Sequence, residues 1–166
     1  MIDLRLIATE DVTEIRSWPS YCDSDGFAQM DYALREHGWL DEFMSRPKTW
    51  IYIADSNKQI IGFSLLSITA EGEAEFRIAI HPRWIGKGLG REVTLATLDV
   101  GFHQLNLDQI YLIVRKNNPR AAKLYESIGF VTTGESVHTI QEECVEFNDM
   151  VMTKEEFNNP KAEDGL

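Results

Sequence analysis

The stretch Arg83-Trp84-Ile85-Gly86-Lys87-Gly88-Leu89-Gly90 has the residue types and spacing that imply chemistry most directly. It lies between an alternating segment that reads as a strand and a long run of helical periodicity. Glycines let a backbone turn tightly and approach a ligand closely. A helix N-terminus offers unpaired N–H groups and the positive end of the helix dipole. Strand, glycine turn and helix start together make a cradle for phosphate oxygens. The sequence therefore predicts a pyrophosphate-bearing cofactor, with Arg83, Lys87 and Arg91 supplying local positive charge.

Three phosphate loops can be compared with this one. A Walker A loop needs Lys-Ser or Lys-Thr after its last glycine region, whereas Gly90 is followed by Arg91-Glu92. The dinucleotide fingerprint needs Gly-x-Gly-x-x-Gly within a strand–helix–strand unit; here the spacing is Gly86-x-Gly88-x-Gly90, and no such unit precedes it. The pattern Arg-x-x-Gly-x-Gly fits, as Arg83, Gly86 and Gly88. It resembles the acetyl-CoA loop of the GNAT N-acetyltransferase family. A second segment, 110–130, reads as a buried strand, then Asn118, then Ala-x-x-Leu-Tyr-x-x-x-Gly-Phe. Ala121 or Ala122, Leu124, Tyr125, Gly129 and Phe130 carry it, and Asn117 is the alternative to Asn118 in a shifted register. The resemblance is close over 49–140 and loose over the first 48 residues. Within the family the chain most resembles the bacterial spermidine and ribosomal-protein N-acetyltransferase branch.

That resemblance implies a single α/β domain of GNAT type, a mixed and mostly antiparallel sheet flanked by helices, with splayed central strands. The domain would cover 1–157, with a disordered tail at 158–166. Acetyl-CoA would be the acyl-donor cosubstrate, its pyrophosphate at Arg83, Gly86, Lys87, Gly88, Leu89, Gly90 and Arg91. Its pantetheine arm would bond the main chain near Ile78 and Ile80, with Asn118 contacting the arm or the acceptor. Tyr125 matches the family tyrosine beside the thioester sulfur and would protonate the departing thiolate. Alternatively it is a core aromatic in a stripe with Ala121, Leu124 and Ile128.

Strand alternation puts Glu73, Glu75 and Arg77 on the face opposite Phe76 and Ile78. The family often places a carboxylate on this strand near the amine, so Glu75 is the candidate general base. The plain alternative is an ordinary Glu75–Arg77 salt bridge. His81 reads as structural, and His37, His103 and His138 carry no spacing signal. Acids (Asp23, Asp25, Asp31, Glu36) and aromatics (Trp18, Tyr21, Trp39) crowd the segment that walls the family's acceptor site. They suit an alkylammonium, and equally a solvated helical hairpin.

Composition sets outer bounds. The 166 residues, 43% hydrophobic and 26% charged, suit one soluble domain. No apolar run is long enough to cross a membrane, and no signal peptide is evident at the start, so a cytoplasmic location is expected. Cys22 and Cys144 have no metal-ligand spacing, and no metal is expected. A net charge of −11 disfavours nucleic acid and favours a small cationic amine, though it also serves solubility. The reaction expected is direct acetyl transfer to a primary amine such as a polyamine. The alternatives are a protein or peptide α-amine acceptor, or a non-catalytic acyl-CoA-binding module. A homodimer is compatible with the sequence.

The elements that must position these residues follow from periodicity. Ile2, Leu4 and Leu6 alternate in an opening strand, and Thr9 is a candidate N-cap for a short helix ending at Trp18-Pro19. A loop over 19–26 leads to a helix over 27–45, interrupted near Gly38. Strands at 50–54 and 60–68 form a hairpin, followed by the Ala74–Ile80 strand that Pro82 stops. The spacing then predicts a helix over 88–105 and a near-continuous apolar strand at 110–114, central in the sheet. A helix over 118–128 ends at Gly129, and strands at 130–138 and about 145–152 close the chain.

Overall fold

A computed structural model describes residues 2–21, 30, 34 and 38–159. The loop at 22–26, Cys22, Asp23, Asp25, Asp31, Glu36, His37 and the end of the tail lie outside the described residues. The chain runs β1 (Asp3–Leu6), α1 (Thr9–Arg16), α2 (Trp39–Met44), β2 (Thr49–Ser56), β3 (Gln59–Ala70) and β4 (Glu73–Ile80). It continues through a 3₁₀ turn (Pro82–Trp84), α3 (Leu89–Asp99), a π-helical turn (Val100–Gln104) and β5 (Gln109–Arg115). Last come α4 (Pro119–Ile128), β6 (Val131–Ile140), β7 (Glu143–Thr153) and α5 (Lys154–Asn158).

Among the described residues, one sheet of seven strands runs in the order β1-β2-β3-β4-β5-β7-β6. Every pairing is antiparallel except β4 with β5. That parallel pairing is short: Glu73, Ala74 and Glu75 face Gln109, Ile110 and Tyr111, and there it stops. Beyond it, β4 stays bonded to β3 as far as Ile80, and β5 stays bonded to β7 as far as Arg115. The sheet therefore opens as a V whose vertex is Glu75–Tyr111. The expected splayed strands are these two.

The sheet buries a core on each face. Ile15, Trp18, Leu34, Leu40 and Phe43 cover one face over Ile53, Phe63 and Leu65. Leu98, Phe102 and Tyr125 cover the other over Phe76, Ile110, Leu112 and Met150. β3 carries an unbroken buried run from Ile60 to Ser67, as suits an inner strand. The β2–β3 hairpin closes on Asn57 and Lys58, both at positive φ (51° and 65°), the two-residue turn that matches strand twist. Gly38 caps α2, so the expected interruption is a helix start.

Several boundaries differ from the sequence reading. Ala8, not Thr9, is the N-cap of α1; Thr9 is the first helical residue, and the Ala8 N–H donates to the Asp11 carboxylate at 2.7 Å. The 88–105 helix changes to π winding at Val100, where the Leu105 N–H donates to the Val100 carbonyl at 3.0 Å. Gly101 within that turn is closely packed: a Cβ there would lie 2.8 Å from Ile110 and 3.0 Å from Leu66. Asn158, the first residue of the expected tail, is the last residue of α5, a helix begun by a reciprocal capping box between Thr153 and Glu156. The Asn158 Oδ1 also lies 2.8 Å from the His103 ring.

Candidate active site

The open V between β4 and β5 is a cleft of about 550 Å³. β4 contributes Glu75, Phe76, Arg77 and Ile78; β5 contributes Tyr111 to Arg115; α4 contributes Asn118, Ala121 and Tyr125. Trp39, Glu42 and Arg46 close one side, and His138, Thr139, Ile140 and Phe147 of the β6–β7 hairpin close another. Four of the predicted residues, Glu75, Ile78, Asn118 and Tyr125, thus converge on one cavity although they come from two elements distant in sequence, β4 and the start of α4.

Asn118 settles the register left open by the sequence. Its Oδ1 accepts the Ala121 N–H at 3.2 Å and starts α4, with Pro119 as the first helical residue. This start places Tyr125 on the sheet-facing side two turns later. Gly129, at φ 129°, ends the helix, and the Phe130 N–H bonds back to the Tyr125 carbonyl. The Tyr125 ring meets Phe76 and Phe130 edge-on, at centroid distances of 6.4 and 5.8 Å. Burial pushes its phenol up to about 12. The hydroxyl consequently keeps its proton at any neutral or mildly alkaline pH. Core packing and contact with the cleft are both true of this side chain.

Glu75 sits at the vertex of the V and is buried. Its Oε2 accepts from Arg77 Nε at 3.0 Å, the salt bridge weighed from the sequence, and Arg46 approaches Oε1 at 3.9 Å. Ionic pairing and a place in the cleft coexist here as well. Across the vertex, the Tyr111 hydroxyl donates to Thr69 at 3.0 Å.

The glycine loop follows β4. Gly86 and Gly88 have φ of 84° and 78°, backbone that only glycine adopts without strain, and a Cβ on Gly88 would meet nothing within 4 Å. Gly88 is also the N-cap of α3 and brings no side-chain cap. Gly90 lies against Ile80 and Leu124, which joins the loop to both β4 and α4. Arg83 and Lys87 are exposed around it. Arg91 donates to Ser127 at 2.8 Å and so ties α3 to α4. Leu89 opens the helix. An open glycine turn, uncapped helical N–H groups and flanking cations fit a pyrophosphate.

The other histidines resolve differently. His81 is structural: its Nδ1 accepts the Arg83 N–H at 3.0 Å, its ring packs on Trp18 at 4.8 Å, and burial together with Arg83 lowers its pKa. His103 pairs with Asp99 far from the cleft. His138 does line the cleft, packed on Phe147 at 5.1 Å, and sequence spacing gave no hint of it. Glu42, Arg46, Arg115 and Phe147 were also missed. Only the i, i+4 spacing of Glu42 and Arg46 could have drawn attention to that pair. Arg120 was missed too; a Cβ on Gly86 would come within 3.9 Å of its guanidinium. Among the described residues no helix is long and apolar enough to cross a membrane.

The chain resembles known proteins in both sequence and fold. It is 41% identical over 92 residues to the spermidine N(1)-acetyltransferase of Vibrio cholerae, an alignment covering 54% of this chain and 51% of that protein. It is 45% identical over 65 residues to the Escherichia coli K12 enzyme of the same name, covering 39% and 35%. With the ribosomal protein bS18 alanine N-acetyltransferase of Haemophilus influenzae it shares 36% over 74 residues, covering 45% and 49%. The chain thus spans between about a third and a half of the length of these curated relatives. The solved structure of Vibrio cholerae spermidine N-acetyltransferase in complex with CoA and spermine superposes with a TM-score of 0.77 at 27% identity, covering 95% of this chain and 98% of that one. The acetyltransferase (GNAT) domain model matches residues 2–131, which brings in the N-terminal part whose likeness the sequence reading found only loose. The chain therefore belongs to the GNAT acetyltransferase family.

Proposed function

We propose that this chain is an acetyl-CoA-dependent N-acetyltransferase that acetylates a primary amine on a small cationic molecule, a polyamine in the first instance. The observation that carries this reading is the meeting of Tyr125, Asn118 and Glu75 in the opening between β4 and β5, one strand end away from the glycine loop. Relatives named as spermidine N-acetyltransferases support the acceptor class, as does the net charge of −11.

Bound acetyl-CoA would supply an acetyl group activated as a thioester. Arg83, Gly86, Lys87, Gly88, Leu89, Gly90 and Arg91 would hold its pyrophosphate by backbone N–H groups and charge. The main chain at Ile78 and Ile80, freed from β5 by the splay, has bonding groups to offer an extended arm, with Asn118 opposite. Tyr125 holds a proton ready for a departing thiolate. Glu75, anchored through one oxygen by Arg77, accepts the proton of the acceptor amine. Transfer is direct in this reading, because neither cysteine lies in a motif that would serve as an acyl carrier, and the exposed Cys144 is not part of the cleft.

A peptide α-amine is the second reading. It is favoured by Arg115, which lines the cleft over Phe147 at 6.0 Å and could face a carboxylate or backbone carbonyl of a peptide. Mass spectrometry of spermidine and of short peptides after incubation with acetyl-CoA separates the two. Acetylated spermidine supports the first reading, acetylated peptide alone supports the second, and no product from either removes both.

A further inference from the structure

The acceptor side of the cleft already contains cations of the protein's own, packed as a substrate ammonium would be. The ring of Phe43 is fully buried, and two guanidinium carbons lie over it, Arg46 at 4.1 Å and Arg77 at 4.9 Å. Trp39 stands beside them, 5.3 Å from Arg77 and edge-on to Phe43. Two carboxylates, Glu42 and Glu75, complete the surround. Aromatic faces with carboxylates are the groups that hold an alkylammonium.

The two arginines are held differently. Arg77 belongs to β4, its side chain is 26% exposed, and its Nε is 3.0 Å from Glu75 Oε2. Arg46 follows the end of α2, is 37% exposed, and pairs closely with Glu42, whose side chain is 54% exposed. It reaches Glu75 Oε1 only at 3.9 Å, beyond hydrogen-bond length. One oxygen of Glu75 is therefore fixed, and among the described residues the other is faced by a solvent-accessible cation that already has a second partner in Glu42.

We propose that Arg46 is an intramolecular stand-in for the acceptor's ammonium. It lies in a cage, over Phe43 and against Glu75 Oε1, and an arriving polyamine takes that place and leaves Arg46 paired with Glu42 alone. This deepens the polyamine reading and rests on it: the cage delivers the ammonium to Glu75, the group assigned to take its proton. No bond is made or broken in the exchange. The ion pair given up, Arg46 to Glu75 Oε1, is 3.9 Å long and involves a partly exposed guanidinium, so displacement is easy, and Arg46 acts as a built-in competitor that raises the KM for the amine.

Steady-state kinetics of Arg46→Gln and Arg46→Met with spermidine test this, with the KM for acetyl-CoA as the reference. The KM for spermidine falls on the order of fivefold in both variants, and that for acetyl-CoA does not move. Ethylguanidinium refills the emptied cage, so it inhibits Arg46→Gln competitively against spermidine and inhibits the wild type less. An unchanged KM for spermidine overturns the proposal. So does a raised one, which would make Arg46 a binding group for an acceptor anion. If the wild type acetylates no polyamine, the underlying reading fails instead. The cage is then tested by ethylguanidinium quenching of tryptophan fluorescence, which must be stronger in Arg46→Gln; equal quenching overturns the proposal on its own.

Discussion

Replacing Tyr125 by Phe removes one oxygen and keeps the ring between Phe76 and Phe130. Two separate effects are expected. A general acid contributes on the order of 10² to 10⁴ in rate, so kcat for acetyl-CoA-dependent thiol release falls by at least about a hundredfold while the acetyl-CoA KM stays put. The second effect is thermodynamic. Burial raises the phenol from 10.0 to about 12, so the folded protein holds this proton more tightly than the unfolded chain. Its stabilising contribution is complete below pH 10 and is lost as pH rises toward 12. The full amount is on the order of 3 kcal/mol. Between pH 9 and pH 11 the wild type should therefore lose roughly 1 kcal/mol more stability than the variant. Urea denaturation of both proteins at the two pH values measures the difference. An undiminished kcat removes Tyr125 from the chemistry. Equal stability losses would mean that the phenol is not buried as described.

Gly88→Ala forces a side chain into φ 78° without any clash, so its cost is backbone strain of about 1–2 kcal/mol. Thermal melting should fall by a few degrees, and the KM for acetyl-CoA should rise. Glu75→Gln keeps the shape of the vertex but removes the proton acceptor; kcat/KM for spermidine should fall on the order of a hundredfold, and an unchanged value would leave only the salt bridge to Arg77. Asp11 accepts from Arg5 at 2.7 Å, and that hydrogen bond holds its carboxyl below the ordinary value of 3.8. Its contribution is present above about pH 4 and lost as pH falls through the depressed value, so Asp11→Asn should flatten the acid limb of a stability–pH curve.

The parts of the site that lie on one stretch of chain were legible in the sequence. The glycine loop, Asn118 and Tyr125 each occupy a local pattern, strand–turn–helix or N-cap followed by an apolar stripe, and such patterns are set by dihedral freedom and periodicity. Glu75 was legible by strand alternation, but its place at the vertex depends on where β4 and β5 part, and that is a property of pairing between distant segments. Arg46, Arg115, His138 and Phe147 were not legible for the same reason. They reach the cleft because α2, β5 and the β6–β7 hairpin fold against it, and nothing in their neighbours signals that. The π turn at Val100 was hidden too: its apolar stripe reads as ordinary helix, and the close approach of Ile110 and Leu66 to Gly101 is a tertiary contact. The α5 helix was readable from Thr153 and Glu156, a capping pair three residues apart.

Acetyl-CoA-dependent thiol release, measured as initial rates against polyamines, aminoglycosides, amino acids and short peptides, tests the central claim most directly. The account predicts saturable turnover confined to cationic amines, with polyamines the best acceptors and Tyr125→Phe nearly silent on all of them. Saturable turnover of neutral amines or peptides with no response to polyamines would contradict the acceptor assigned here. Binding of acetyl-CoA with no turnover of any amine would contradict the assignment of an enzyme.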